Sequence, residues 1–138
     1  MWMIVAAIAV AGTVSSFTDW LFMGVLFHDA YNRYPEVWRD GVREGRSRGA
    51  ILWATVLGYV MTAAVAGLCC MANVRSVLSG LEVGALAWLA GPPVVIVVAN
   101  MFVKMDPKIT VAHCAGYAAR LLLAGAAAGF VLSRAAGA

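Results

Sequence analysis

An arginine in the middle of an otherwise apolar stretch limits this chain more than any other feature. Ile109 to Leu132 is long and apolar enough to cross a bilayer, yet it contains His113, Tyr117 and Arg120. Spacings of four and three put these side chains on one face of a helix, one above another. At 1.5 Å per residue, Arg120 lies about 16 Å along the segment, near the centre of a hydrocarbon layer about 30 Å thick. An unpaired guanidinium at that depth costs about 3 kcal/mol on insertion scales and more in simulations. It therefore needs a partner inside a bundle, and Asp19 in the first apolar run is the candidate. With the first helix counted inward and the fourth outward, the two residues come within about 6 Å in depth, a gap that a leaning arginine side chain closes. The resulting charge-assisted contact fixes how the first and fourth helices face each other.

The remaining residues follow the same environment. Of 138 residues, 63% are hydrophobic and 12% charged, where soluble domains are nearer half apolar and a quarter charged. A core this small cannot hide so much apolar surface. The expected architecture is all-α: a single transmembrane domain over residues 1–138, an integral membrane four-helix bundle with spans at about 2–27, 50–71, 77–103 and 109–132. The first run lacks the basic start of a signal peptide, and its apolar character continues past the small residues Ala11 and Gly12, so it is expected to be a retained helix.

Charge sets the orientation. Arg33, Arg39, Arg43, Arg46 and Arg48 lie in the first connection and Lys104 and Lys108 in the third, whereas Arg75 and Arg134 lie on the opposite side. This positive-inside asymmetry places the first and third connections in the cytoplasm and both termini outside, in a cell inner membrane. The first connection also carries Tyr31, Tyr34 and Trp38, suited to the headgroup level, and Pro35 as a helix start. Its pairs Glu36 with Arg39, Asp40 with Arg43 and Glu44 with Arg48 stand at helical distances. The segment is expected to form a short cytoplasmic interfacial helix, with Arg33 to Arg48 near anionic lipid heads or docking a partner. A net charge of +3 placed in this way points to the lipid bilayer and not to nucleic acid.

In the second span Tyr59 and Thr62 are the notable polar groups, and a hydroxyl there can bond back to its own helix. A short turn at 73–79 predicts tight antiparallel packing of the second and third spans. The third span holds Glu82 between Gly80 and Gly84, which thin the helix so that another backbone can approach. Pro92 and Pro93 remove two amide donors near mid-membrane and predict a kink. Gly125 and Gly129 give the fourth span a close-contact face, within the bundle or across a homo-oligomer.

Asp19, Asn100, His113, Tyr117 and Arg120 form the candidate ligand or ion pathway, with Glu82 and His28 as secondary positions. Intramembrane carboxylates commonly mark such pathways; the plainer alternative is that Asp19 neutralises Arg120 and Glu82 reaches headgroup water. His28 and His113 repeat no known metal or haem spacing, so no metal or cofactor is expected. Cys69 and Cys70 lie toward the opposite membrane face from Cys114, too far for a disulfide, and read as small apolar residues, with an intersubunit disulfide or a soft-metal contact at the adjacent pair as the alternative. No nucleophile elbow, P-loop, Cys-x-x-Cys or zinc-protease motif is present, so nothing supports an enzyme.

Trp20, Gly24 and Phe27 in the first span, Trp88, Leu89, Ala90 and Gly91 in the third, and Gly116, Tyr117 and Gly125 in the fourth resemble a small four-helix bacterial membrane family, the seventeen-sixty-one domain of unknown function. The resemblance runs over most of the chain. It implies a multi-pass membrane protein and supplies no activity or catalytic residues. Two functions remain open: a small transporter or channel-like protein built on the Asp19 and Arg120 pair, or a non-transporting accessory protein that docks a partner through its arginine-rich loop.

Overall fold

The computed structural model describes residues 2–31, 33, 36 and 48–136. The described chain is helical throughout its ordered elements: α1 (Trp2–Asp19), a π-helical segment (Trp20–Leu26), α2 (His28–Tyr31), α3 (Arg48–Met71), α4 (Val77–Ala90), α5 (Pro92–Phe102) and α6 (Pro107–Ala136). Four stretches are long and apolar enough to cross a membrane: Trp2–Leu26, Arg48–Met71, Val77–Phe102 and Pro107–Ala135. The helix expected from Pro35 onward lies largely outside the described residues. What is described of that connection is the single turn α2, Arg33 and Glu36.

Each boundary has a local cause. Asp106 precedes α6 and accepts the Lys108 amide through Oδ1 at 2.9 Å, an N-cap, and Pro107 takes the first helical position, where no amide donor is needed. That pair starts the helix two residues earlier than Ile109. At the other end of the bundle α3 stops in a Schellman motif, with Asn73 left-handed at φ 52. Its amide and that of Val74 bond back to the carbonyls of Cys70 and Cys69 at 3.1 and 3.0 Å. Ser76 then caps α4 by accepting the Ser79 amide at 3.1 Å.

The third span is broken where its prolines require it. α4 ends at Ala90, Gly91 bends the chain, and α5 restarts at Pro92. The Trp88 carbonyl, freed by Pro92, accepts the Gly91 amide at 3.3 Å. The first span is not one continuous α-helix: from Trp20 it widens into π geometry, closing with a bond from the Phe27 amide to the Phe22 carbonyl at 3.0 Å.

α6 is the hub of the bundle, packed by α1, α3, α4 and α5. The expected tight packing of the second span on the third is corrected here, because α4 lays its glycines on α6 instead. A Cβ on Gly80 would stand 3.0 Å from the Gly125 carbonyl carbon and 3.1 Å from the Gly129 Cα. Gly84 meets the backbone of Leu121 and Leu122, and Gly129 meets that of Ser76 and Val77. Where no side chain intervenes, two backbones approach closely enough for dispersion to hold them, the main source of association in a lipid solvent. Val65, Ala66 and Cys69 of α3 close this half of the core with Val74, Leu121, Ala124 and Ala128.

Candidate functional site

The opposite half of α6 carries the polar groups. Arg120 sits near the middle of the helix, its side chain 5% exposed, and its Nη2 donates to Oδ2 of Asp19, whose side chain is 30% exposed. Asp19 is the last α-helical residue of the first span, and the π segment begins on the next one. A widened turn there places the carboxylate at a change of helical register, a feature that recurs at functional sites.

Arg120 fits because α3 has no side chain at Gly58. A Cβ at that position would lie 2.8 Å from the guanidinium carbon and 2.9 Å from Nη2. Thr62 bonds back to the Gly58 carbonyl at 3.0 Å, as expected of a membrane hydroxyl. On the Asp19 side α6 is equally bare, since a Cβ on Gly116 would lie 3.6 Å from Asp19 Oδ1. The guanidinium is incompletely used: its Nε is buried without a hydrogen-bond partner.

From Arg120 toward Pro107 the face continues in polar steps. Tyr117 and His113 stack with ring centroids 6.5 Å apart, both half-buried. Nearer the helix start, Asn100 of α5 donates to the Thr110 hydroxyl of α6, and the Trp88 indole donates to the Cys114 carbonyl at 2.9 Å. The candidate residues thus fall into three contacts along α6: Asn100 with Thr110, His113 with Tyr117, and Arg120 with Asp19. Glu82 and His28 join none of these contacts; both are exposed, Glu82 on α4 and His28 at the start of α2.

Three features lie outside the sequence-derived site. Gly58 carries no sequence signal, because the space it leaves is defined by a residue of another helix. Tyr59 bonds across helices and not back to its own: its hydroxyl meets Thr13 of α1 at 2.8 Å, and its ring lies over Gly12. Asp106 is buried at 3% side-chain exposure, and its Oδ2 stands 2.6 Å from Arg33 Nη1. That contact is electrostatic and not a directed hydrogen bond, as Oδ2 has no partner of bonding geometry. Beside it Lys104 Nζ meets Glu36 Oε1 at 3.2 Å, so the first and third connections are joined twice. The Glu36 carboxyl is held below the usual range by its own backbone amide first and by Lys104 second.

Among the described residues no three His, Cys, Asp or Glu side chains gather as a metal would require. Cys69, Cys70 and Cys114 are free thiols. No family model, no curated protein and no solved structure matches the chain.

Proposed function

We propose that this is a small multi-pass transporter or channel-like protein, with the Asp19 and Arg120 pair as its central site and the α6 face from Thr110 to Tyr117 as the approach to it. The observation that carries this reading is a buried guanidinium at mid-span that meets a carboxylate and still has an unpartnered donor. Intramembrane ionisable groups are costly and typically mark ion or substrate pathways. The proposed approach runs toward the Asp106 end of α6, the cytoplasmic end under the positive-inside rule. Beyond Arg120, α6 lies against α4 through glycine-to-backbone contacts, which favours an approach from the other end.

Arg120 holds the site's fixed positive charge, and Asp19, the more exposed partner, is the group that exchanges a proton or cation. His113, Tyr117 and Asn100 supply hydrogen-bonding groups along the way. The rival reading, a non-transporting accessory protein whose charges only specify packing, is favoured by the direct closure of the pair. Reconstitution in liposomes separates the two. A pH-dependent solute or proton flux that Asp19→Asn abolishes, with the variant still folded, supports transport. Liposomes that move nothing, together with an Asp19→Asn variant that is merely less stable, establish the accessory role.

A further inference from the structure

The charge balance of the central pair restricts what it can carry. Arginine stays protonated at any physiological pH, so a proton reaching the site binds at Asp19. The empty pair is neutral, with one carboxylate and one guanidinium. Once Asp19 is protonated, Arg120 is an uncompensated cation in a low-dielectric bundle, the most costly state available to it.

The packing elements identify what could compensate. Besides Arg120, the titratable groups on the elements packed against α1 and the π segment include Tyr117, His113 and Cys114 on α6, Tyr59 on α3, which bonds Thr13, and His28 and Asp29 on α2, which packs on the π segment. The ion-pair partner of the Asp19 carboxylate is Arg120, so its protonation falls directly on that guanidinium. The buried Nε without a partner is an independent sign of unused binding capacity. A guanidinium presents parallel donors that match the two oxygens of a carboxylate, and the seat is already taken by a carboxylate, that of Asp19. The bare Cα atoms of Gly58 and Gly116 border it.

Resting on the transport reading above, we propose that the site binds one small, water-soluble monocarboxylate together with one proton. In the loaded state Asp19 is the neutral acid, Arg120 remains cationic and the substrate supplies the anion, so the site is as neutral loaded as empty. The proton is held on an Asp19 carboxyl oxygen, and no other covalent bond forms or breaks.

The full chain reconstituted in liposomes, with radiolabelled pyruvate as probe, tests this. An outside-acid gradient of one pH unit should drive about tenfold accumulation of pyruvate, unaltered by a potassium diffusion potential of either sign. Asp19→Asn should lose this accumulation but still bind pyruvate, seen as a raised thermal midpoint in detergent that Arg120→Gln lacks. The double variant Asp19→Asn with Arg120→Gln, neutral at both positions, keeps the binding comparison interpretable if either single variant folds poorly. Proton flux without pyruvate flux overturns the substrate class and leaves the transport reading standing. Voltage-dependent pyruvate uptake overturns the neutral coupling. Stabilisation by oleate and not by pyruvate overturns a soluble substrate. Liposomes that move neither protons nor any solute overturn transport itself.

Discussion

Arg120 lays its guanidinium against the bare Cα of Gly58, and the two residues come from helices far apart in the chain. The guanidinium carbon would be 2.8 Å from a Cβ at that glycine. Burial of a charge in hydrocarbon needs a partner and also room, and α3 provides the room by omitting a side chain.

Gly58→Ala should therefore destabilise the protein by about 1–3 kcal/mol, the usual range for overpacking a tight site. Gly67 on the same helix has nothing within 4 Å of a Cβ, so Gly67→Ala should be neutral or stabilising by about 0.5–1 kcal/mol. Thermal midpoints of the two variants in detergent provide the comparison. Equal midpoints would remove the argument for a guanidinium seat.

Removing one member of the Asp19 and Arg120 pair strands the other. For fully buried pairs the loss is about 3–5 kcal/mol, and a smaller loss is expected here because Asp19 is 30% exposed. Asp19→Asn and Arg120→Gln should each destabilise, and the double variant should be less destabilised than the sum of the two. A double-mutant cycle on unfolding free energies reads this coupling; additive losses would mean that the two groups do not interact.

The glycine seam between α4 and α6 gives a sharper expectation. At Gly80 and Gly125 a Cβ would meet backbone atoms of the facing helix, which cannot rotate away as a side chain can. Gly125→Leu should separate these helices and unfold the single chain. A variant that stays folded and loses only self-association would show that the face joins two copies. Size-exclusion chromatography beside circular dichroism distinguishes the two.

Asp106 performs two tasks that conservative substitution can separate. Asp106→Asn keeps an oxygen for the Lys108 amide and loses the charge facing Arg33, whereas Asp106→Ala loses both. The alanine variant should cost about 0.5–2 kcal/mol for the cap. The contribution of the pair should be smaller, since Arg33 is largely exposed. Stability in the order wild type, Asn, Ala is expected, and an asparagine variant as unstable as alanine would deny the capping role.

Glu36 should titrate below an ordinary glutamate, because its backbone amide first and Lys104 second favour the ionised form. A carboxyl depressed in the folded state contributes stability above its unfolded pKa and loses it as pH falls through the lower folded value. The contact with Lys104 should thus be absent in acid and weakened by salt. In Lys104→Ala the Glu36 titration, followed by NMR, should rise part of the way toward the ordinary value. No rise at all would show that the lysine contact is absent in solution.

Four spans, the break at Pro92 and Pro93 and the pairing of Asp19 with Arg120 are legible in the residues themselves. Each follows from a local rule: apolar length, a missing amide donor, or two charges at one depth in oil. The π turn after Asp19 and the seat at Gly58 are not legible in this way. Nothing in the composition of 20–26 distinguishes a widened helix from an α-helix, and a glycine within an apolar run does not announce what will lie on it. The spacing of Gly125 and Gly129 permits either a contact within the chain or one between copies.

Sequence alone therefore determined how much of the chain is long and apolar enough to cross hydrocarbon and which charges would need neutralising there, because the solvation cost of a residue is a property of that residue and its depth. Only the tertiary structure decided that α4 lies on α6 in preference to α3, that Gly58 and not another small residue receives the guanidinium, and that Asp106 meets Arg33. These are choices among similar faces, and what decides them is the sum of close backbone and side-chain contacts over whole helices, which no local pattern contains.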